Sequence, residues 1–101
     1  MDITVAHDPA GKRYTAHDGD AQVGLAAYVL DDRMVVFTHT EVDPSYEGRG
    51  VGSALARTAL DDARAGGLVV MPLCPFVKGW IQRHPEYADL QFNAPASTAT
   101  D

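Results

Sequence analysis

The chain has 101 residues, 46% hydrophobic and 22% charged, which is the composition of one ordinary globular domain with a single core. Fourteen acidic residues against eight basic ones give a formal charge of −6, and with no Lys/Arg cluster this argues against nucleic-acid binding by phosphate neutralisation. No apolar run approaches the ~18 residues of a membrane span, no basic-then-apolar leader opens the chain, and a single cysteine permits no internal disulfide, so a cytoplasmic location is expected, with neither nucleic acid nor membrane as partner.

Met1 to Leu30 reads as three antiparallel strands. Ile3 and Val5 alternate with polar neighbours, Asp8-Pro9-Ala10-Gly11 has turn chemistry, and Arg13 to His17 follows. Asp18-Gly19-Asp20 is a second turn signal, and Val23 to Leu30 makes the third strand. Asp31-Asp32 turns into a fourth strand, Val35 to Val42. Pro44 then leads into three closely spaced glycines, Gly48, Gly50 and Gly52, which open onto a helical pattern.

That helix carries Val51, Leu55, Ala59 and Ala63 on one face, widened by Ala56 and Leu60, and stops at Gly66-Gly67. A fifth strand spans Leu68 to Leu73, so the unit is β-α-β and its two strands should lie parallel with a right-handed crossover. A second helix starts at Pro75 or Phe76 and runs to Arg83, where His84-Pro85 interrupts it, because the residue before proline avoids the α region. Pro85 to Leu90 is one more turn or short helix, residues 1–92 are expected to form the single domain, and the Ala/Ser/Thr/Pro tail over residues 93–101 is expected to be disordered.

The first turn of a helix offers unpaired N–H groups and the positive end of the dipole, and residues without Cβ leave it open to an anion. Gly48, Gly50 and Gly52, with the Ser53 hydroxyl, are spaced for such a cradle; the alternative is a glycine turn that only starts a helix. The strictly alternating glycines do not fit the dinucleotide fingerprint, and the loop has no lysine for a Walker motif. What Glu47-Gly48-Arg49-Gly50-Val51-Gly52 does resemble is the Gln/Arg-x-x-Gly-x-Gly/Ala loop of the GNAT superfamily of N-acetyltransferases, with Glu47 departing from the first position.

Val42-Asp43-Pro44 likewise resembles the strand end that, in that family, hydrogen-bonds the pantetheine arm. The segment Pro72-Leu73-Cys74-Pro75-Phe76-Val77, followed by Trp80-Ile81 and His84-Pro85-Glu86-Tyr87, resembles a compact GNAT-like subfamily of about this length. The resemblance implies an α+β GNAT-like fold: a mostly antiparallel sheet around a central β-α-β unit, splayed where the fourth and fifth strands part, and lacking the family's usual N-terminal helices. It implies acetyl-CoA as cofactor, held by Val42, Gly48, Arg49, Gly50, Val51, Gly52 and Ser53, and an amine acceptor, either a small molecule or a protein lysine. The acidic surface suits a cationic amine, or serves solubility alone.

Direct transfer needs a group to take the ammonium proton. His39 and Glu41, two apart on the fourth strand, share a face just before the loop and are candidate bases, or else solvated strand polar groups. Cys74, at a helix start, is either an acyl-accepting nucleophile or a small buried hydrophobe. Tyr87 is a candidate general acid, Lys78 and Arg83 either reach toward the coenzyme's 3′-phosphate or form a solvated helix face, the reading the residues favour, and Tyr46 and Trp80 read as packing residues. No metal site is expected. The other functional reading is a module that binds coenzyme A or an acyl-CoA without turnover, and the exposed sheet edge admits a monomer or a weak homodimer.

Overall fold

Each element begins and ends where local chemistry dictates. The computed structural model describes residues 2–92, so the expected tail, 93–101, lies outside the described residues. Strands β1 (Ile3–Asp8), β2 (Arg13–Asp18), β3 (Ala21–Asp31) and β4 (Met34–Val42) form an antiparallel meander, joined by the expected turns. Non-glycine residues with positive φ sit only in those connections among the described residues, Lys12 at 54° and Asp32 at 57°. Helix α1 (Val51–Ala65) then crosses to β5 (Val69–Pro72), which pairs parallel to β4 and completes the sheet order β1-β2-β3-β4-β5. Helix α2 (Pro75–Arg83) and a 3-10 turn, Pro85–Leu90, follow. The fold is the expected α+β one, and among the described residues no helix precedes the 3-10 turn at Pro44–Tyr46.

Helix α1 is held by its buried stripe. Val51, Leu55, Ala56, Ala59, Leu60 and Ala63 are each at most 3% exposed, and each buried Leu or Val contributes about 1.5–3 kcal/mol. Its end is a Schellman motif. Gly67 takes φ +69°, Leu68 N–H donates to the Ala63 carbonyl at 2.9 Å and Gly67 N–H donates to the Arg64 carbonyl at 3.1 Å. Trp80, Val77 and Ile81 of α2, with Tyr87 and Leu90 after it, close the same core. Among the described residues no helix is long and apolar enough to cross a membrane.

Two irregularities in β4 position everything that follows. Phe37 pairs with Tyr28 whereas His39 pairs with Ala27, so Thr38 is an extra residue, a β-bulge whose hydroxyl donates to the Ala27 carbonyl at 3.4 Å. The bulge reverses the alternation: Val35 and Phe37 face α1 before it, and Thr40 and Val42 do so after it. Further, β5 accompanies β4 only from Met34 to Phe37. The two strands part beyond that point, as the sequence led us to expect, and the last link across is Cys74 N–H donating to the Phe37 carbonyl at 2.9 Å.

Candidate functional site

Where β5 leaves β4, a cleft of about 480 Å³ opens between the end of β4, the glycine loop and α2. Thr40 and Val42 form its strand wall; Gly48, Gly50, Val51, Gly52 and Ser53 form its floor. Phe76, Trp80, Arg83 and His84 close the far side. A cleft of this size suits a ligand far larger than a water cluster.

The floor is chemically specific. The capping position of α1 is Gly50, in the left-handed conformation at φ 82°, and no side chain caps the helix. Ala54 N–H reaches the Gly50 carbonyl at 2.9 Å, so the amides of Val51, Gly52 and Ser53 are the ones left without intrahelical acceptors. The first turn holds no acidic side chain to quench them. These amides and the helix dipole make an anion site.

The three glycines serve two ends. Gly48 (φ 79°) and Gly50 (φ 82°) adopt a backbone that side chains disfavour, and a Cβ on either would meet nothing within 4 Å, so the approach is open. Gly52 has no such φ. A Cβ there would lie 2.6 Å from Phe76 Cζ, so its missing side chain makes room for the Phe76 ring.

Supports from elsewhere in the chain hold the loop. Asp43 accepts hydrogen bonds from the Ser45 hydroxyl (2.8 Å) and the Ser45 N–H (2.9 Å), which hold its carboxyl below the usual carboxylate range. Tyr46 donates its hydroxyl proton to Asp18 at 2.7 Å, and that bond, with burial, raises its pKa, so the ring borders the cleft as a neutral phenol. Trp80 Nε1–H donates to Ser53 Oγ at 2.8 Å, which leaves the serine O–H available as a donor. His84 stacks on Trp80 with ring centroids 3.8 Å apart, and its Nδ1–H donates to the Trp80 carbonyl at 2.8 Å. That bond places the proton of a neutral His84 ring on Nδ1.

Of the predicted cofactor residues, Val42, Gly48, Gly50, Val51, Gly52 and Ser53 all line the cleft. Arg49 does not; its guanidinium lies over the Tyr46 ring, 5.6 Å from the centroid. Of the predicted catalytic residues, His39 and Glu41 come together, with His39 Nε2 and Glu41 Oε2 at 2.6 Å, and their side chains are 58% and 63% exposed. They lie on the face of β4 opposite Thr40 and Val42, outside the cleft. Cys74 is 4% exposed, with its Sγ 3.2 Å from Thr40 Oγ1.

Tyr87, the candidate acid, lies outside the cleft: it donates to Asp61 at 2.7 Å, and that bond, with burial, raises its pKa. Arg83 lines the cleft and Lys78 does not. Sequence reasoning missed Thr40, Phe76 and His84 and took Trp80 for packing alone. The spacing of Thr40 two residues before Val42 was a usable signal.

Comparisons with known proteins bear on the family and the fold. The family model of the GCN5-related N-acetyl-transferases matches residues 13–90. Protein NATD1 from Gallus gallus is 34% identical over 86 residues, covering 82% of this chain and 77% of that protein, and NATD1 from Homo sapiens is equally identical, with 75% of its length covered. Among solved structures, a GCN5-like protein from Staphylococcus aureus superposes with a TM-score of 0.70 over 88% of this chain and 87% of its own, at 21% identity, which is a likeness of fold. Rv2747 from Mycobacterium tuberculosis, solved in complex with CoA and NLQ, superposes with a TM-score of 0.60 at 28% identity, over 73% of this chain and 47% of its own. The chain belongs to the GCN5-related N-acetyltransferase family, whose cofactor is acetyl-CoA.

Proposed function

We propose that this protein transfers an acetyl group from acetyl-CoA to an amine, with the coenzyme lying in the cleft beside the unpaired half of β4. The observation that carries this reading is the uncapped first turn of α1, approached past two side-chain-free residues in positive φ. The amides of residues 51–53, with the Ser53 hydroxyl, receive the pyrophosphate. The main chain near Val42, which has no β5 partner, is free to hydrogen-bond the pantetheine arm.

The acceptor amine approaches across the exposed edge of β4 from the face that carries His39 and Glu41. One of that pair takes its proton, the free amine attacks the thioester carbonyl, and the coenzyme leaves as a thiolate that is then protonated. Residue alternation sets Thr40 and Glu41 on opposite faces within one ~3.4 Å step, so base and thioester can flank the same edge. The acceptor is an amine of a small molecule or of a protein lysine, for which the charge of −6 is a favourable field.

Calorimetric titration with acetyl-CoA tests the cofactor site. Binding in the native protein that disappears in a Gly50→Val, Gly52→Val variant is the expected result; no binding to the native protein overturns the reading. A second reading, coenzyme binding without turnover, is favoured by the exclusion of His39 and Glu41 from the cleft. Retained acetyl-CoA binding with turnover unchanged in both Glu41→Gln and His39→Gln would remove the pair from the mechanism, and an acceptor screen without any transfer would favour this second reading.

A further inference from the structure

A second cavity, of about 280 Å³, lies under the other half of α1 and shares no lining residue with the cleft. Helix α1 lines it with the small side chains of Ala59 and Ala63 and with Asp62, opposite Val35 and Phe37 of the sheet. At about 30 Å³ per water it holds the volume of about nine waters, room for a ligand of roughly that many heavy atoms.

The walls are aromatic and the rim is acidic. His7 and Tyr14 stack with centroids 4.2 Å apart, and Tyr28 meets Phe37 edge to face at 6.3 Å. The phenols are already engaged: Tyr14 donates to Asp62 Oδ2 at 2.9 Å, and the Tyr28 hydroxyl lies 2.6 Å from His7 Nε2. Among the described residues, Asp62 Oδ1 accepts no hydrogen bond, and Asp62 is exposed. No lysine or arginine lines the cavity.

An anionic ligand would find no fixed cation here. A neutral apolar ligand would leave the open carboxylate oxygen unused. An ammonium is matched on both counts, because Asp62 supplies the counter-charge and an acceptor oxygen while the apolar lining takes the body. We infer that this cavity is a second ligand site for a small organic ammonium, its apolar body against Phe37, Val35 and the two alanines and its charged end at Asp62. Asp62 follows Gly52 by ten residues, about 15 Å along the helix, so an ammonium bound there is not the amine being acetylated in the cleft.

Titration of the full chain with phenethylammonium chloride, followed by backbone amide NMR, tests the site without reference to acetyl transfer. Saturable shifts at Tyr14, Tyr28 and Asp62 are expected, with 2-phenylethanol binding at least tenfold more weakly. Asp62→Asn, whose side-chain oxygen can still accept from Tyr14, should weaken the ammonium at least tenfold and leave the alcohol unchanged. Ala63→Leu should fill the cavity and abolish binding of both while the protein stays folded by its amide spectrum. Equal affinity for amine and alcohol, indifference to either substitution, or displacement of the amine by saturating coenzyme A would each overturn the inference.

Discussion

Strand β4 is two structures in one sequence. From Met34 to Phe37 it is paired on both edges, with Val35 and Phe37 at 4% and 1% exposure, and it behaves as the central strand of a sheet. From Thr38 to Val42 it keeps β3 and loses β5, and its inward side chains, Thr40 and Val42, face a cleft instead of a core. The difference teaches that the site is a sheet left unfinished: main-chain groups that a fifth strand would consume remain available beside a helix N-terminus whose amides also lack partners.

The largest effect should come from breaking the completed half. Phe37→Ala empties a site packed against Tyr28 and should cost about 3–5 kcal/mol, a large share of the ~5–15 kcal/mol total of a domain. Thr40→Ala, three residues later, removes only the contact to Cys74 and should cost about 1 kcal/mol. Urea denaturation of both variants checks this, and similar losses would mean that the open half is as structural as the closed one.

Next in size is the glycine loop, where two neighbours should fail for different reasons. Gly50→Val forces a β-branched residue to φ 82°, a cost of at least about 1–2 kcal/mol, and it also obstructs the anion site, so acetyl-CoA affinity should fall at least tenfold. Gly52→Ala should be destabilising through its clash with Phe76, and Phe76→Ala in the same chain should recover part of that loss while still binding the coenzyme. A Gly52→Ala protein of native stability that no longer binds acetyl-CoA would show that Gly52 clears the ligand's path after all.

Much of this was legible because it is local. Turn residues, the 3.6-residue stripe of α1 and the Gly66-Gly67 stop placed the strands and helices to within a few residues, and the strand end at Val42 together with the glycine loop placed six of the cleft-lining residues. What stayed hidden depends on register or distance. The bulge at Thr38 decides that Thr40 and Val42, rather than His39 and Glu41, continue the face of Val35 and Phe37, and a bulge is a property of strand pairing that no single strand spells out. Trp80 is a packing residue, as read, but its indole N–H also ends 27 positions away on Ser53. Tyr87 has the chemistry of an acid, yet its hydroxyl is committed to Asp61, 26 positions away.

The smallest expected effect falls on the boundary between the halves. The main chain of Cys74 makes the final link to β4 at Phe37, and its side chain touches Thr40, the first cleft residue after the strands separate. Cys74→Ala keeps the main-chain bond and removes one buried heavy atom, so stability should drop by only about 1 kcal/mol. Two transfer routes then diverge. If the amine attacks the thioester directly, the variant should retain turnover within a few-fold, because Sγ is 4% exposed at the residue level and already beside a hydroxyl. If the acetyl group passes through Sγ, the variant should bind acetyl-CoA normally and transfer nothing, and the native protein incubated with acetyl-CoA alone should gain one acetyl mass on Cys74. Burial favours the direct route, since a thioester carbonyl would have to enter the space that Thr40 and Cys74 share. Intact-mass measurement on the native protein, paired with turnover of the alanine variant, therefore decides whether the cysteine closes the core half of β4 or opens the chemistry of the other.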